Sequence, residues 1–203
     1  MTKIILVRHG QTLWNVEMKY QGQTDIALTE KGLEQAQMVA KRLANESISA
    51  IYSSDLSRAF ATAEIIAAKH NLQVIGVPEL REISFGDWEG LTYTNINSGW
   101  PQIMDKLFTC PDEVTIPGGE SFPQLRERAS KALAKIAANH KDQNIVVVAH
   151  GGTIRTLICA ALNIHLNYVW NIRQDNTAVS ILDYYDNRIM VSLLNDTSHL
   201  NDR

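Results

Sequence analysis

Residues 144–152 read NIVVVAHGG, and this stretch decides the fold. Asn144 to Ala149 carries three valines in a row without polar alternation, the pattern of a strand buried on both faces, as in a parallel sheet. His150 follows, and Gly151-Gly152 leads into a helix expected from about Gly152 to Leu162. Residues 3–10, KIILVRHG, repeat the plan: an apolar strand from Lys3 to Arg8, then His9 and Gly10. Ala50–Ser53 and Leu72–Val77 read as two more strands. Between the strands lie helical patterns. Thr29 caps a helix to about Asn45 with Leu33, Ala36, Ala40 and Leu43 on one face. Arg58–His70 is alanine-rich. Ser121 and Gln124 make a capping box before a helix to about His140, with Leu125, Ala129, Leu133 and Ile136 aligned. Residues 78–120 hold four of the five prolines and are expected to form loops around a helix within about 92–108. Ala178–Tyr184 and Arg188–Leu194 flank Asp186-Asn187 as a hairpin. Strands alternating with helices predict an α/β fold of three layers, α/β/α, with a mostly parallel central sheet, an antiparallel edge strand and a short helical cap.

The chain of 203 residues suits one domain, 1–203, with the cap at about 83–120. Apolar residues at 45%, charged residues at 20% and a net charge of −3 exclude disordered, collagenous and disulfide-scaffold classes. They give no general electrostatic reason to bind nucleic acid or an acidic membrane. Cys110 and Cys159 lack metal-site spacing and read as reduced thiols. The apolar stretch Ile4–Val7 is too short for a signal peptide or membrane span, so a cytoplasmic protein is expected.

In open α/β sheets ligands bind beyond the carboxyl ends of the strands. Arg8-His9-Gly10 leaves one such end, with two potentially cationic side chains together and a glycine that permits close backbone approach. His150-Gly151-Gly152 leaves another and runs into a helix N-terminus, whose free N–H groups suit an anion. Arg58 opens the helix after Ser53-Ser54. Glu82, flanked by apolar residues and glycines, is a candidate acid with a raised pKa.

These residues sit in LVRHGQTLWN (6–15), QGQTDIALTEKG (21–32), YSSDLSRAFATAE (52–64), LREISFGDWEG (80–90), PGGES (117–121), VVVAHGGTIR (147–155) and DTSHL (196–200). In this order and spacing they closely resemble the histidine phosphatase superfamily, the phosphoglycerate-mutase-like proteins. The resemblance implies that His9 attacks phosphorus and forms a phosphohistidine, splitting one displacement into two. It implies that Arg8, Arg58 and His150 hold the phosphoryl oxygens, the role a metal fills in many phosphatases. Asn15 would donate to the phosphate, Gln21 and Gly22 would form a substrate-facing turn, and Gly151 would lie at the phosphate. Glu82 would protonate the leaving oxygen and then take a proton from water, starting neutral through burial. No metal or cofactor is implied. The partner is a small phosphomonoester, and the chain would be a monomer or homodimer.

The family also contains mutases, which must return the phosphoryl group to substrate and exclude water. Phosphoglycerate mutases carry a longer cap and a Glu-Arg-His-Tyr-Gly sequence at the acid, whereas this chain reads Glu82-Ile83-Ser84-Phe85-Gly86. Between 83 and 120 the only cationic side chain is Lys106, which favours a phosphatase. The aromatics Phe85, Trp88, Tyr93, Trp100, Phe108 and Phe122 would either pack the cap or wall the site for a bulky ester. The GDWEG and PGGES pieces are similar to those of broad-specificity phosphatases and of α-ribazole phosphatases. The best-named substrate is thus α-ribazole 5′-phosphate, with phosphoserine and other small esters as alternatives. A non-catalytic phospholigand-binding module is the reading from another class; the full set His9, Arg8, Arg58, Glu82 and His150 weighs against it. A metal hydrolase built on the six histidines lacks HxH or HExxH spacing.

Overall fold

A computed structural model describes residues 1–186 and 188–201. Its six strands are β1 (Thr2–Arg8), β2 (Ile48–Ser53), β3 (Val74–Gly76), β4 (Asn144–Ala149), β5 (Val179–Tyr185) and β6 (Arg188–Asp196). They form one sheet in the order β3-β2-β4-β1-β5-β6. The first four run parallel. β5 runs antiparallel to β1 and β6 to β5, so the antiparallel edge is a pair of strands, the expected hairpin. Its turn residue Asn187 lies outside the described residues. β3 is shorter than the expected 72–77, pairing only over three residues at the sheet edge.

The helices are α1 (Leu13–Val16), α2 (Glu30–Leu43), α3 (Ser57–Ala67), α4 (Tyr93–Gly99), α5 (Pro101–Thr109), α6 (Phe122–Ala138) and α7 (Gly151–Ala161). Alternate residues of β1 and β4 face opposite layers. Ile5, Val7, Val146 and Val148 pack with α2 and α3, through residues such as Val39, Ala40 and Ile66. Ile4, Leu6 and Val147 pack with α6 and α7, through Leu125, Leu133 and Leu157. That is why neither strand alternates: both faces are covered. The cap residues Ile83, Trp88, Ile96, Met104, Leu107 and Ile116 join this second cluster, so the cap shares a core with the sheet.

Two expectations are corrected. The helix placed within about 92–108 is two helices, α4 and α5, broken at Trp100. Pro101 disfavours helical backbone in the residue before it, and Trp100 sits at φ −136°, ψ 55°. Leu33 is exposed; the buried stripe of α2 is Gly32, Ala36, Val39, Ala40 and Leu43. Thr29 and Ser121 cap α2 and α6 as expected, Ser121 with a full capping box to Gln124. Cys110 and Cys159 are free thiols. Among the described residues no helix is long and apolar enough to cross a membrane.

Candidate active site

The three central strands β2, β4 and β1 lie side by side and end at the same level. His9 N donates to Ala149 O and Ser54 N to Val148 O, each at 3.0 Å, carrying the ladder one residue past the strands. His9, Ser54 and His150 thereby meet at one edge, with the two imidazole centroids 5.2 Å apart. His9 Nδ1 is 2.7 Å from Gly10 O. A carbonyl oxygen only accepts, so Nδ1 carries the proton and Nε2 keeps its lone pair. Burial, then the charges of Arg58 and Arg8, hold the His9 pKa well below the ordinary histidine value. His150 Nε2 lies 2.8 Å from Ser54 Oγ, and burial followed by Arg58 and His9 lowers its pKa in the same direction. Both imidazoles are therefore neutral at pH 7, the state a nitrogen nucleophile needs.

Arg8, at the end of β1, donates through Nη1 to Gln174 O at 2.6 Å. Arg58, in the first turn of α3, donates to Thr24 O at 2.9 Å and Gly22 O at 2.6 Å. Burial, then Arg155, brings the Arg8 pKa down to about 10, and burial lowers that of Arg58. Both stay charged at neutral pH. Arg8 Nε, Arg58 Nε and His150 Nδ1 are buried without a hydrogen-bond partner among the described residues. Unpaired buried polar atoms are uncommon, and three in one cluster mark the place where an anion with several oxygens fits.

Glu82 reaches the N-terminus of α7. Its Oε2 accepts from Gly152 N at 2.9 Å. Its Oε1 accepts from Thr153 N and Ile83 N at 3.0 Å each, while the Thr153 hydroxyl donates to Arg81 O at 2.9 Å. A Cβ at Gly152 would stand 2.7 Å from Oε1, so glycine there makes room for the carboxyl. This corrects the expected setting: Glu82 is half-buried and ringed by donors, because the polypeptide end it meets is a helix N-terminus and not an apolar wall.

Asn15 Oδ1 accepts from Thr12 N and Asn176 Nδ2, at 3.1 and 3.2 Å. With Oδ1 so occupied, Nδ2 is the end left for a ligand, as a phosphate donor requires. Gln21 is buried and held by Thr12 Oγ1 at 2.9 Å. Gly22 has φ +54°, and a Cβ there would strike the Glu89 carboxylate, which fastens the turn by accepting from Gln23 N and Thr24 N at 2.8 Å each. A Cβ at Gly151 would stand 3.2 Å from Arg155 Nη1 and 3.5 Å from Arg8 Nε.

These residues surround a cavity of about 240 Å³ whose lining includes Arg8, His9, Asn15, Gln21, Gly22, Arg58, Glu82 and Gly151. His150 is fully buried behind His9. The aromatic set divides: Phe85, Phe108 and Phe122 line the cavity, Trp88 is buried in the cap core near Trp100, and Tyr93 is exposed. Lys106 pairs with Glu113 on the surface, so the cap gives the cavity no cation. A larger groove of about 590 Å³ between α6 and the exit of β3 contains none of the site residues named from sequence. Among the described residues no three His, Cys, Asp or Glu side chains gather as a metal site.

Sequence reasoning missed Arg155, Trp170, Tyr20 and Lys19 in the lining, and Arg128 and Asn176 behind it. Arg155 had a signal. It lies four residues after Gly151 and so on the same face of α7. Trp170 lies in a short 3-10 helix, Leu166–Asn171, and Tyr20 in a loop, neither with a pattern to read.

Comparison with known proteins gives the family and the fold. Residues 4–197 fit the family model of the histidine phosphatase superfamily, branch 1. The chain is 43% identical to phosphoglycerate mutase-like protein 4 of Arabidopsis thaliana, over 98% of this chain and 86% of that one. It is 35% identical to phosphoserine phosphatase 1 of Hydrogenobacter thermophilus, over 98% and 95% of the two chains. The solved structure of Bacillus stearothermophilus YhfR superposes with a TM-score of 0.94 at 34% identity, covering 98% of this chain and all of that one. With strand-end histidines, paired arginines and a matched family model over nearly its whole length, the chain belongs to the histidine phosphatase superfamily.

Proposed function

We propose that the protein hydrolyses compact phosphomonoesters through a phosphohistidine on His9, using no metal. The observation that carries this is His9 itself: Nδ1 is fixed on Gly10 O, leaving Nε2 with its lone pair among Arg8, Arg58 and His150. In the first step Nε2 forms a bond to phosphorus as the ester P–O bond breaks. Glu82 is the proton donor to the departing oxygen. In the second step a water oxygen attacks phosphorus, the N–P bond breaks with its electrons returning to Nε2, and Glu82 takes the water proton. Oε2 is the oxygen suited to this traffic, since it accepts from one backbone N–H against two at Oε1. The arginines and His150 stabilise charge on the equatorial oxygens in both steps.

The cavity volume of about 240 Å³ favours a compact ester, falling below the roughly 300 Å³ at which drug-sized ligand sites begin. The aromatic side formed by Phe85, Phe108 and Phe122 supports α-ribazole 5′-phosphate as the second reading.

The test uses purified protein with a chelator and a panel of p-nitrophenyl phosphate, phosphoserine, 3-phosphoglycerate and α-ribazole 5′-phosphate. Phosphate release together with an acid-labile phosphoenzyme, both lost in His9→Ala by about a thousandfold or more, is the expected result. Turnover retained in His9→Ala would remove the nucleophile assignment. Loss of activity with chelator would restore a metal mechanism. Conversion of 3-phosphoglycerate to 2-phosphoglycerate without phosphate release would make the protein a mutase.

A further inference from the structure

Arg155 is the one arginine of the cavity that the hydrolytic steps leave unused. It lies one turn into α7 beyond Gly151. Its Nε donates to Ile172 O at 2.7 Å, and its guanidinium carbon stands 5.6 Å from the centroid of the Trp170 ring. Trp170 is itself fixed, its Nε1 donating to Leu107 O at 2.6 Å and its ring resting on Phe108 and Phe122. The guanidinium plane is thus held on an edge and a face. Among the described residues no carboxylate lies within ion-pair distance of it. A cation kept in a half-buried wall without a counter-ion is costly unless a ligand supplies one. Burial also lowers its pKa, against the opposing pull of Glu82 and Asp175.

Arg8 and Arg58 spend donors on Gln174 O, Gly22 O and Thr24 O and keep buried Nε groups without a partner among the described residues. Arg155 stands next to Arg8 on the side of Phe108, Phe122 and Trp170, where the ester's organic portion must lie. A planar fork on that side matches the two oxygens of a carboxylate.

We propose that Arg155 binds a carboxylate on the leaving group, so that the preferred substrates are compact phosphomonoesters carrying a carboxylate a few bonds from the ester oxygen. The proposal rests on the hydrolase reading above and adds the substrate class to it.

Two matched pairs test it: O-phosphoserine against O-phosphoethanolamine, and 3-phosphoglycerate against glycerol 1-phosphate. Each pair differs by the carboxylate. The wild-type protein should prefer the carboxylated member of each pair by roughly ten- to hundredfold in kcat/KM, the worth of a charge-assisted contact. Arg155→Met should erase the preference, chiefly through KM, and Arg155→Lys should restore part of it. No preference in the wild type, or a preference that survives Arg155→Met, overturns the proposal. Equal losses on both members of each pair also overturn it and make Arg155 a fourth phosphoryl ligand. Wild-type protein inert even toward p-nitrophenyl phosphate would instead remove the hydrolase reading beneath it.

Discussion

Arg128 Nη2 donates to Glu82 O at 2.8 Å, so a residue of α6 fixes the backbone of the proposed general acid. The same guanidinium donates to Glu79 O and Arg81 O at 2.7 and 2.8 Å and binds both oxygens of Glu120 at 2.7 Å each. All five of its N–H groups are thereby used. Asp55 holds the neighbouring Arg81 side chain through two contacts, at 2.7 and 2.5 Å, and so helps to set the loop. The carboxyl of Glu82 is thus clamped from α7 and its main chain from α6.

Arg128→Met should therefore have two effects. It leaves the half-buried Glu120 carboxylate and three carbonyls short of donors, costing about 2 kcal/mol or more of stability in urea denaturation. It also loosens the acid, so kcat should fall further for alkyl phosphates than for p-nitrophenyl phosphate. A pure stability loss with equal kcat ratios would limit Arg128 to holding the fold.

Glu82→Gln keeps an acceptor for the N–H groups of α7 but cannot carry the transferable proton. Its kcat on alkyl phosphates should drop by about a hundredfold or more. The loss with p-nitrophenyl phosphate, whose leaving group needs little protonation, should be much smaller. Equal losses across a series of leaving groups would deny Glu82 the acid role.

The depressed histidines fix a pH dependence of stability. His9 and His150 are neutral in the folded protein well below the ordinary value, whereas in the unfolded chain they take up protons near pH 6.5. Below about pH 6.5 the unfolded state binds more protons, so stability falls as pH falls, by up to about 1.4 kcal/mol per pH unit for each histidine. Above that pH both states are neutral and the effect vanishes. Urea midpoints at pH 7.5, 6.5 and 5.5 should fall more steeply in the wild type than in His150→Asn. Parallel profiles would show that His150 is not held neutral by the fold.

Much of this was legible in the sequence because the deciding features are local. Uninterrupted apolar runs at 3–8 and 144–149 announce strands covered on both faces, and the residues just past them must gather at one sheet edge. His9 and His150 follow from that placement, whereas Arg58 rests on the separate strand exit after Ser53-Ser54 and on the family resemblance. The features that stayed hidden depend on tertiary contact. The break at Trp100 turns on one proline inside a plausible helical run. The setting of Glu82 depends on which helix end its loop meets, and Arg128 reaches that loop from 46 residues away. Leu33 steps by three and four with Ala36, Ala40 and Leu43 and so reads as buried, while the position that approaches the β1–α1 loop most closely is Gly32.

That position yields the sharpest stability contrast. A Cβ at Gly32 would stand 2.1 Å from Gln11 O, and one at Gly10 would stand 2.4 Å from Gly32 O, so α2 docks backbone to backbone on the loop that carries His9. Main chain cannot swing aside as a flexible side chain can. Gly32→Ala should cost about 1–3 kcal/mol or more, as overpacking does, and should lower activity with it because the displaced segment adjoins the proposed nucleophile. Gly99, the last residue of α4, has nothing within 4 Å of where a Cβ would stand. There alanine restricts the unfolded chain and favours the helix, so Gly99→Ala should stabilise by about 0.4–1 kcal/mol with activity unchanged. Urea denaturation of both variants beside wild type measures the pair. Near-neutral behaviour of Gly32→Ala would mean that the α2 docking yields easily, and with it the rigid placement of His9.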